Sequence, residues 1–148
     1  MFANDEAMQV TQENDGTIRM VEKGVPKDLL NVKIRHLSFE DEHKKGIPMN
    51  ASRMVLDFIT AAPEVEAYMK EHSIRQPGLL INEPYDPGRP RVSGELKNVT
   101  LSEALDYMLK TFPGMWVYEN CLGDGKSSRV VVFAFYPTGQ SPDALLAP

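Results

Sequence analysis

Asn98-Val99-Thr100-Leu101-Ser102-Glu103-Ala104-Leu105-Asp106-Tyr107-Met108-Leu109-Lys110 carries its own helix-start signal and decides the architecture around it. Thr100 is placed to accept from the backbone N–H of Glu103 while Glu103 reaches back to the N–H of Thr100. That capping box satisfies two of the donors a helix start leaves open. Val99 and Ala104 stand where a hydrophobic staple forms. Leu101, Ala104, Leu105, Met108 and Leu109 then recur at helical spacing on one face, with Ser102, Glu103, Asp106 and Lys110 toward solvent. Phe112-Pro113-Gly114 ends the helix, since Pro113 cannot continue the hydrogen-bond ladder and disfavours helical geometry at the residue before it.

Downstream of this helix the pattern becomes that of strands. Residues 115–119 and 129–136 read as two strands joined by a loop containing Gly123-Asp124-Gly125, a hairpin signal. In the second of them Val130, Val132 and Ala134 point one way and Val131, Phe133 and Phe135 the other, so both faces want cover. The capped helix can cover one face, and the other needs the N-terminal segment, another helix or a partner chain. If no element of the chain does so, Phe133 and Phe135 mark a partner surface, with Trp116 and Tyr118 on the neighbouring strand.

Upstream, residues 91–96 read as a strand with Val92, Gly94 and Leu96 on one face, and 78–82 as a short apolar strand. Between them lies the turn-rich run Pro84-Tyr85-Asp86-Pro87-Gly88-Arg89-Pro90. Met54, Val55, Phe58 and Ile59 form an apolar stripe on a helix that Asn50 is placed to cap. Ala61-Ala62-Pro63 interrupts it, and Pro63 suits the first turn of a second helix carrying Val65, Tyr68, Met69 and His72, so 51–72 reads as one kinked helix or two short ones. Residues 40–49 read as a charged loop. Residues 32–39 read as a strand whose apolar side switches from Val32 and Ile34 to Leu37 and Phe39, which predicts a bulge. Residues 17–22 are expected to form a short strand, followed by a turn at Lys23-Gly24-Val25-Pro26. Residues 1–16, polar and rich in Asn, Asp and Glu, read as a mobile leader, and 137–148 as a tail or linker. The expectation is a single α+β domain over 17–136: a small mixed sheet packed against two or three helices, built around a strand-helix-strand-strand unit with a terminal hairpin.

Composition agrees with that class. A length of 148 residues suits one domain that buries a core without disulfides, and 42% apolar with 25% charged residues is ordinary for a globular protein. The net charge of −5 divides as 10 basic against 15 acidic residues up to Gly88 and 6 against 6 beyond it. Neither part has the basic excess of a nucleic-acid surface. No apolar run approaches the roughly 20 residues that span a bilayer, and the N-terminus has neither the basic segment nor the apolar core of a signal peptide. A removed export signal would leave the same appearance. The single Cys121 excludes an intrachain disulfide.

Leu79-Leu80-Ile81, then Arg91-Val92-Ser93-Gly94-Glu95-Leu96-Lys97-Asn98-Val99-Thr100-Leu101-Ser102-Glu103-Ala104-Leu105, then Met115-Trp116-Val117-Tyr118-Glu119 carry a family likeness. The chain resembles the short domain at the N-terminus of secretins and TonB-dependent receptors, in which a segment of the type N-V-T-L-x-E-A-L leads from a strand into a helix. Recognisable letters run over 79–119. The resemblance implies an envelope-associated interaction module that works by protein contacts without catalytic residues or cofactor. Its location would then be periplasmic, and its partner a protein, such as an envelope or secretion component, or a second copy of itself.

Other chemistries are weaker in the residues. His36, Glu40, Asp41, Glu42 and His43 have ligand-like composition, yet they span a strand end and a loop, where a solvated charged segment is the simpler reading. Ser93, Ser127 and Ser128 lack an elbow motif and a placed histidine. Cys121 has no basic neighbour in sequence to lower its pKa. Gly123-Asp124-Gly125-Lys126-Ser127 lacks the first glycine and the following helix of a phosphate loop. Trp116, Tyr118 and Tyr136 are chemically able to stack on bases or sugars, but in strands such residues serve packing. A KH-like nucleic-acid module is the alternative, and it needs a Gly-x-x-Gly loop where this chain has Ala61-Ala62-Pro63-Glu64. An enzyme domain without a recognisable motif is a further alternative. No catalytic, cofactor or metal residue is assigned.

Overall fold

A computed structural model of the chain describes residues 8–77, 87–122 and 129–138. Along it run β1 (Met8–Gln12), β2 (Ile18–Glu22), a 3-10 turn (Leu29–Asn31), β3 (Lys33–Ser38), α1 (Phe39–Lys44), α2 (Ser52–Thr60), α3 (Pro63–Glu71), β4 (Ile74–Arg75), β5 (Glu95–Thr100), α4 (Leu101–Met108), β6 (Gly114–Leu122) and β7 (Arg129–Pro137). The fold is α+β, as the periodicities predict. Its strands form three small sheets, β1-β2, β3-β5 and β4-β7-β6, where a single sheet was expected. The third is mixed, with β4 parallel and β6 antiparallel to β7.

The capping box at Thr100 is present. Glu103 N–H donates to Thr100 Oγ1 at 3.2 Å, and Thr100 N–H donates to Glu103 Oε2 at 2.7 Å. These bonds from the Thr100 N–H and hydroxyl hold the Glu103 carboxyl below the usual range. Leu101, Ala104, Leu105 and Met108 are all buried. The helix stops at Met108, ahead of the expected breaker, and Phe112 N–H still donates to the Met108 carbonyl at 2.9 Å in the closing turn.

Several expectations are corrected by packing. Residues 40–49 do not form a loop throughout, because Ser38 Oγ accepts from Asp41 N–H at 3.2 Å and caps α1. Glu40, Asp41 and Glu42 in its first turn and His43 and Lys44 in its last complement the helix dipole, while Phe39 anchors it in the core. Asn50 does not cap α2. Ala51 takes the N-cap position, and Asn50 is buried. The strand expected at 91–96 begins only at Glu95, because Gly94 turns the chain with φ +97° and a Cβ there would meet Tyr107 Oη at 2.8 Å. Tyr107 closes that corner by donating its hydroxyl to the Ser93 carbonyl at 2.8 Å.

No extra residue bulges β3. Ile34 faces Val99 and His36 faces Lys97 in one unbroken register, and the ladder lapses only between them, where Asn98 takes φ 54°. Ile34 and Leu37, three apart on either side of that lapse, both enter the core. Residues 8–16 belong to a β1-β2 hairpin instead of a mobile leader, and Val10 lies opposite Met20. Pro63 begins α3 as expected, so 51–72 holds two helices.

The helices lie between the second and third sheets. α3 touches β3 and β4, α2 packs on β7 and α4, and α4 packs on β5. α2 packs on β7, and Leu105 and Met108 of the capped helix share one cluster with Val131 and Phe133. One apolar cluster joins Leu29, Ile34, Phe39, Val55, Ile59, Val65, Leu105, Met108, Val131 and Phe133. Phe39 sits against Phe58, with ring centroids 5.4 Å apart, and against Tyr107 at 5.9 Å. The strand expected at 78–82, most of the 84–90 connection, the 123–128 loop tip, residues 1–7 and the tail from 139 lie outside the described residues.

Candidate functional site

Strand alternation gives the β6–β7 hairpin two distinct faces. Trp116 pairs with Phe135 and Tyr118 with Phe133, while Met115 pairs with Tyr136 and Val117 with Ala134. The first set points inward. Phe133 is 2% exposed in the core, with the Tyr118 ring tilted against it at 5.2 Å. Trp116 and Phe135 are half-buried beside the same cluster, and Trp116 Nε1–H donates to Asp106 Oδ1 at 2.9 Å. Trp116, Tyr118, Phe133 and Phe135 are therefore brought together, but as an inward-facing group that the chain covers itself. Phe133 is buried by the chain itself, while Trp116, Tyr118 and Phe135 keep part of their surface exposed.

The reverse face is the open one. Met115 is 46% and Tyr136 43% exposed, and Val117, Val130, Val132 and Ala134 are half-buried around them. Among the described residues β6 pairs on one side only, so its other edge presents unpaired backbone groups. The alternation of apolar residues on both faces was legible in the sequence. Which face turns inward is set by where α2 lands, and no local signal encodes that.

A second group was missed by sequence reasoning. Arg129 at the start of β7 grips Asp28 with both terminal nitrogens, Nη1 to Oδ2 at 2.7 Å and Nη2 to Oδ1 at 2.9 Å. Tyr68 of α3 donates its hydroxyl to Asp28 Oδ2 at 2.8 Å, and the His72 ring stacks on Tyr68 with centroids 3.9 Å apart. The Arg129 guanidinium and the Tyr68 hydroxyl hold the Asp28 carboxyl well below the usual carboxylate range. The Asp28 carboxylate pushes the Tyr68 hydroxyl up, and burial does the same to Tyr118. At neutral pH both phenols thus stay protonated and the aspartate stays charged. Accepting from Arg129 and from Tyr68, the Asp28 carboxylate ties three segments, with Asp28 and Arg129 101 positions apart. Only long-range pairing makes this clasp, so no spacing in the sequence announces it.

The ligand-like residues at 36–43 point in different directions. His36 Nε2 lies 3.5 Å from Glu95, whereas the two His43 ring nitrogens lie 3.1 Å from the Ile47 carbonyl and 2.8 Å from the Val92 carbonyl. Asp41 and Glu42 pair with Lys44 and Lys45. A shallow depression of about 210 Å³ lies between His36, Ser38, Asp41, Lys45, Phe58 and Pro63. Among the described residues no group of three or more His, Cys, Asp or Glu is placed to hold a metal ion. Cys121 is exposed on the outer face of β6. No described helix is long and apolar enough to cross a membrane.

These features define an α+β chain whose most distinctive surface is the apolar outer face and free edge of a three-stranded sheet. Compared with known proteins, the chain matches no family model, no curated protein and no solved structure.

Proposed function

We propose that this chain is a non-enzymatic protein-binding module of the bacterial cell envelope, docking through the outer face and free edge of the β6–β7 hairpin. The observation that carries the reading is the exposed Met115–Tyr136 pair beside a nine-residue edge strand. An edge of this kind offers backbone hydrogen bonds to an added strand, and alternate side chains supply selectivity. The likeness of residues 79–119 to the secretin and TonB-receptor N-terminal domain supports the envelope setting. The test places a photocrosslinking side chain at 115 or 136, with Asp57 on the exposed side of α2 as the control position. In envelope-targeted protein, positions 115 and 136 are expected to capture one discrete protein that position 57 does not, and Tyr136→Glu is expected to abolish capture from 115. Equal labelling from all three positions, or no discrete adduct, refutes the reading.

A further inference from the structure

The β1–β2 hairpin stands apart from the rest of the fold in how it is held. Among the described residues its strands hydrogen-bond each other and no third strand. Val10, Ile18 and Met20 share its outer face and are 47%, 64% and 45% exposed. On the face beneath, Gln9 and Thr11 are exposed as well, leaving Arg19 and Val21 half-buried. An isolated two-stranded ribbon is marginal in water, and this one gains little from apolar burial.

What fastens it is Arg19. Among the described residues it is the one hairpin residue that hydrogen-bonds to the body: Nη2 to Asp106 Oδ2, and Nη1 to Ser102 Oγ at 3.3 Å, both acceptors on α4. Its Nε bonds Glu13 in the hairpin's own turn, which aims the guanidinium. The pair is partly buried, with Arg19 28% and Asp106 26% exposed at the side chain. The acidic partners raise the Arg19 pKa, Glu13 first, so the guanidinium stays charged. The other Asp106 oxygen accepts the Trp116 indole N–H. One carboxylate therefore joins the hairpin, α4 and β6.

We propose that the β1–β2 hairpin is a releasable strap, fastened to α4 by Arg19 on Asp106, whose departure bares the Asp106–Trp116 surface. The strap is the part of the fold that opens first, since the bonds of one arginine to Asp106 and Ser102 hold it while the β6–β7 sheet is held by the core. Opening frees the Asp106 oxygen that holds Arg19, next to the one that accepts the half-buried Trp116 indole. This inference stands independently of a partner at the outer face.

Hydrogen exchange of the full chain tests it, with the emission of Trp116, the single tryptophan, as a second readout. Arg19→Gln removes the fastening from the strap side, and Asp106→Asn removes the charge while keeping an acceptor for the indole. Either variant is expected to speed exchange across residues 8–22 by about tenfold or more, leaving β6 and β7 as protected as before. Trp116 emission shifts to the red in both. In the unaltered protein, raising salt from about 0.01 M to about 1 M is expected to produce the same selective loosening, because screening weakens the pair. Unchanged exchange in the hairpin, or exchange there in step with β6 and β7, overturns the proposal. Should both variants fail to fold, the salt titration of the unaltered protein decides, and salt-independent protection of 8–22 counts against the strap.

Discussion

The chain builds two antiparallel hairpins, and they differ in what lies beneath them. The β6–β7 hairpin sets Val131 and Phe133 into a core formed with α2, while the β1–β2 hairpin buries none of its side chains and is pinned through one arginine. Strand pairing is complete in both. Pairing gives a ribbon its shape, but burial of one face decides whether it is part of the global fold or an appendage to it.

The largest test of that contrast is Phe133→Ala, which is expected to cost about 3–5 kcal/mol in denaturant unfolding, because a cavity opens where α2 and Tyr118 close on the ring. A loss comparable to that of a surface substitution would erase the distinction between the hairpins. Next comes the clasp that anchors β7. Arg129→Gln is expected to cost about 1–2 kcal/mol, below a fully buried pair because Asp28 is a third exposed. Since Arg129 and Tyr68 depress the Asp28 pKa in the folded state, the clasp contributes fully above the unfolded carboxylate value of about 3.9 and is lost as pH falls below it. Thermal melts taken from neutral to acid should therefore drop more steeply for the native chain than for Asp28→Asn, and parallel curves would deny the clasp its role. Thr100→Ala removes one half of the capping box and is expected to lower stability by about 1 kcal/mol by the same unfolding measurement. At the small end, Ile18→Thr on the exposed face of β2 is expected to stay within about 0.5 kcal/mol of the native value in global unfolding. A larger loss would mean that the first hairpin is built into the core after all.

Legibility followed the range of the interactions. The capping box, the Pro63 start of α3, and the pairing of β6 with β7 rest on residues close in sequence, and their side chains state the outcome locally. α1 was legible in principle, because Ser38 followed three residues on by Asp41 is a cap signal, but its high charge reads as a loop when the buried Phe39 anchor is not weighed. The start of β5 was displaced because Gly94, placed within a strand by alternation, is required at a left-handed corner packed against Tyr107. Residues 8–12 look solvated by composition, and they are strand only because β2 lies alongside. Over β6 and β7, the alternation named Trp116, Tyr118, Phe133 and Phe135 as one set, and the packing of the core turns that set inward.

By itself, then, the sequence determined the α+β class, the capped helix, the helix break at Pro63 and the two-faced apolar character of the last strand, since each depends on capping chemistry or on a fixed backbone period. Only the tertiary structure decided which face of β6–β7 is covered, that Arg129 closes on Asp28, and that Arg19 fastens the first hairpin to Asp106. Those outcomes join residues far apart along the chain, and the shape of the packed core, not any local pattern, brings them within reach of one another.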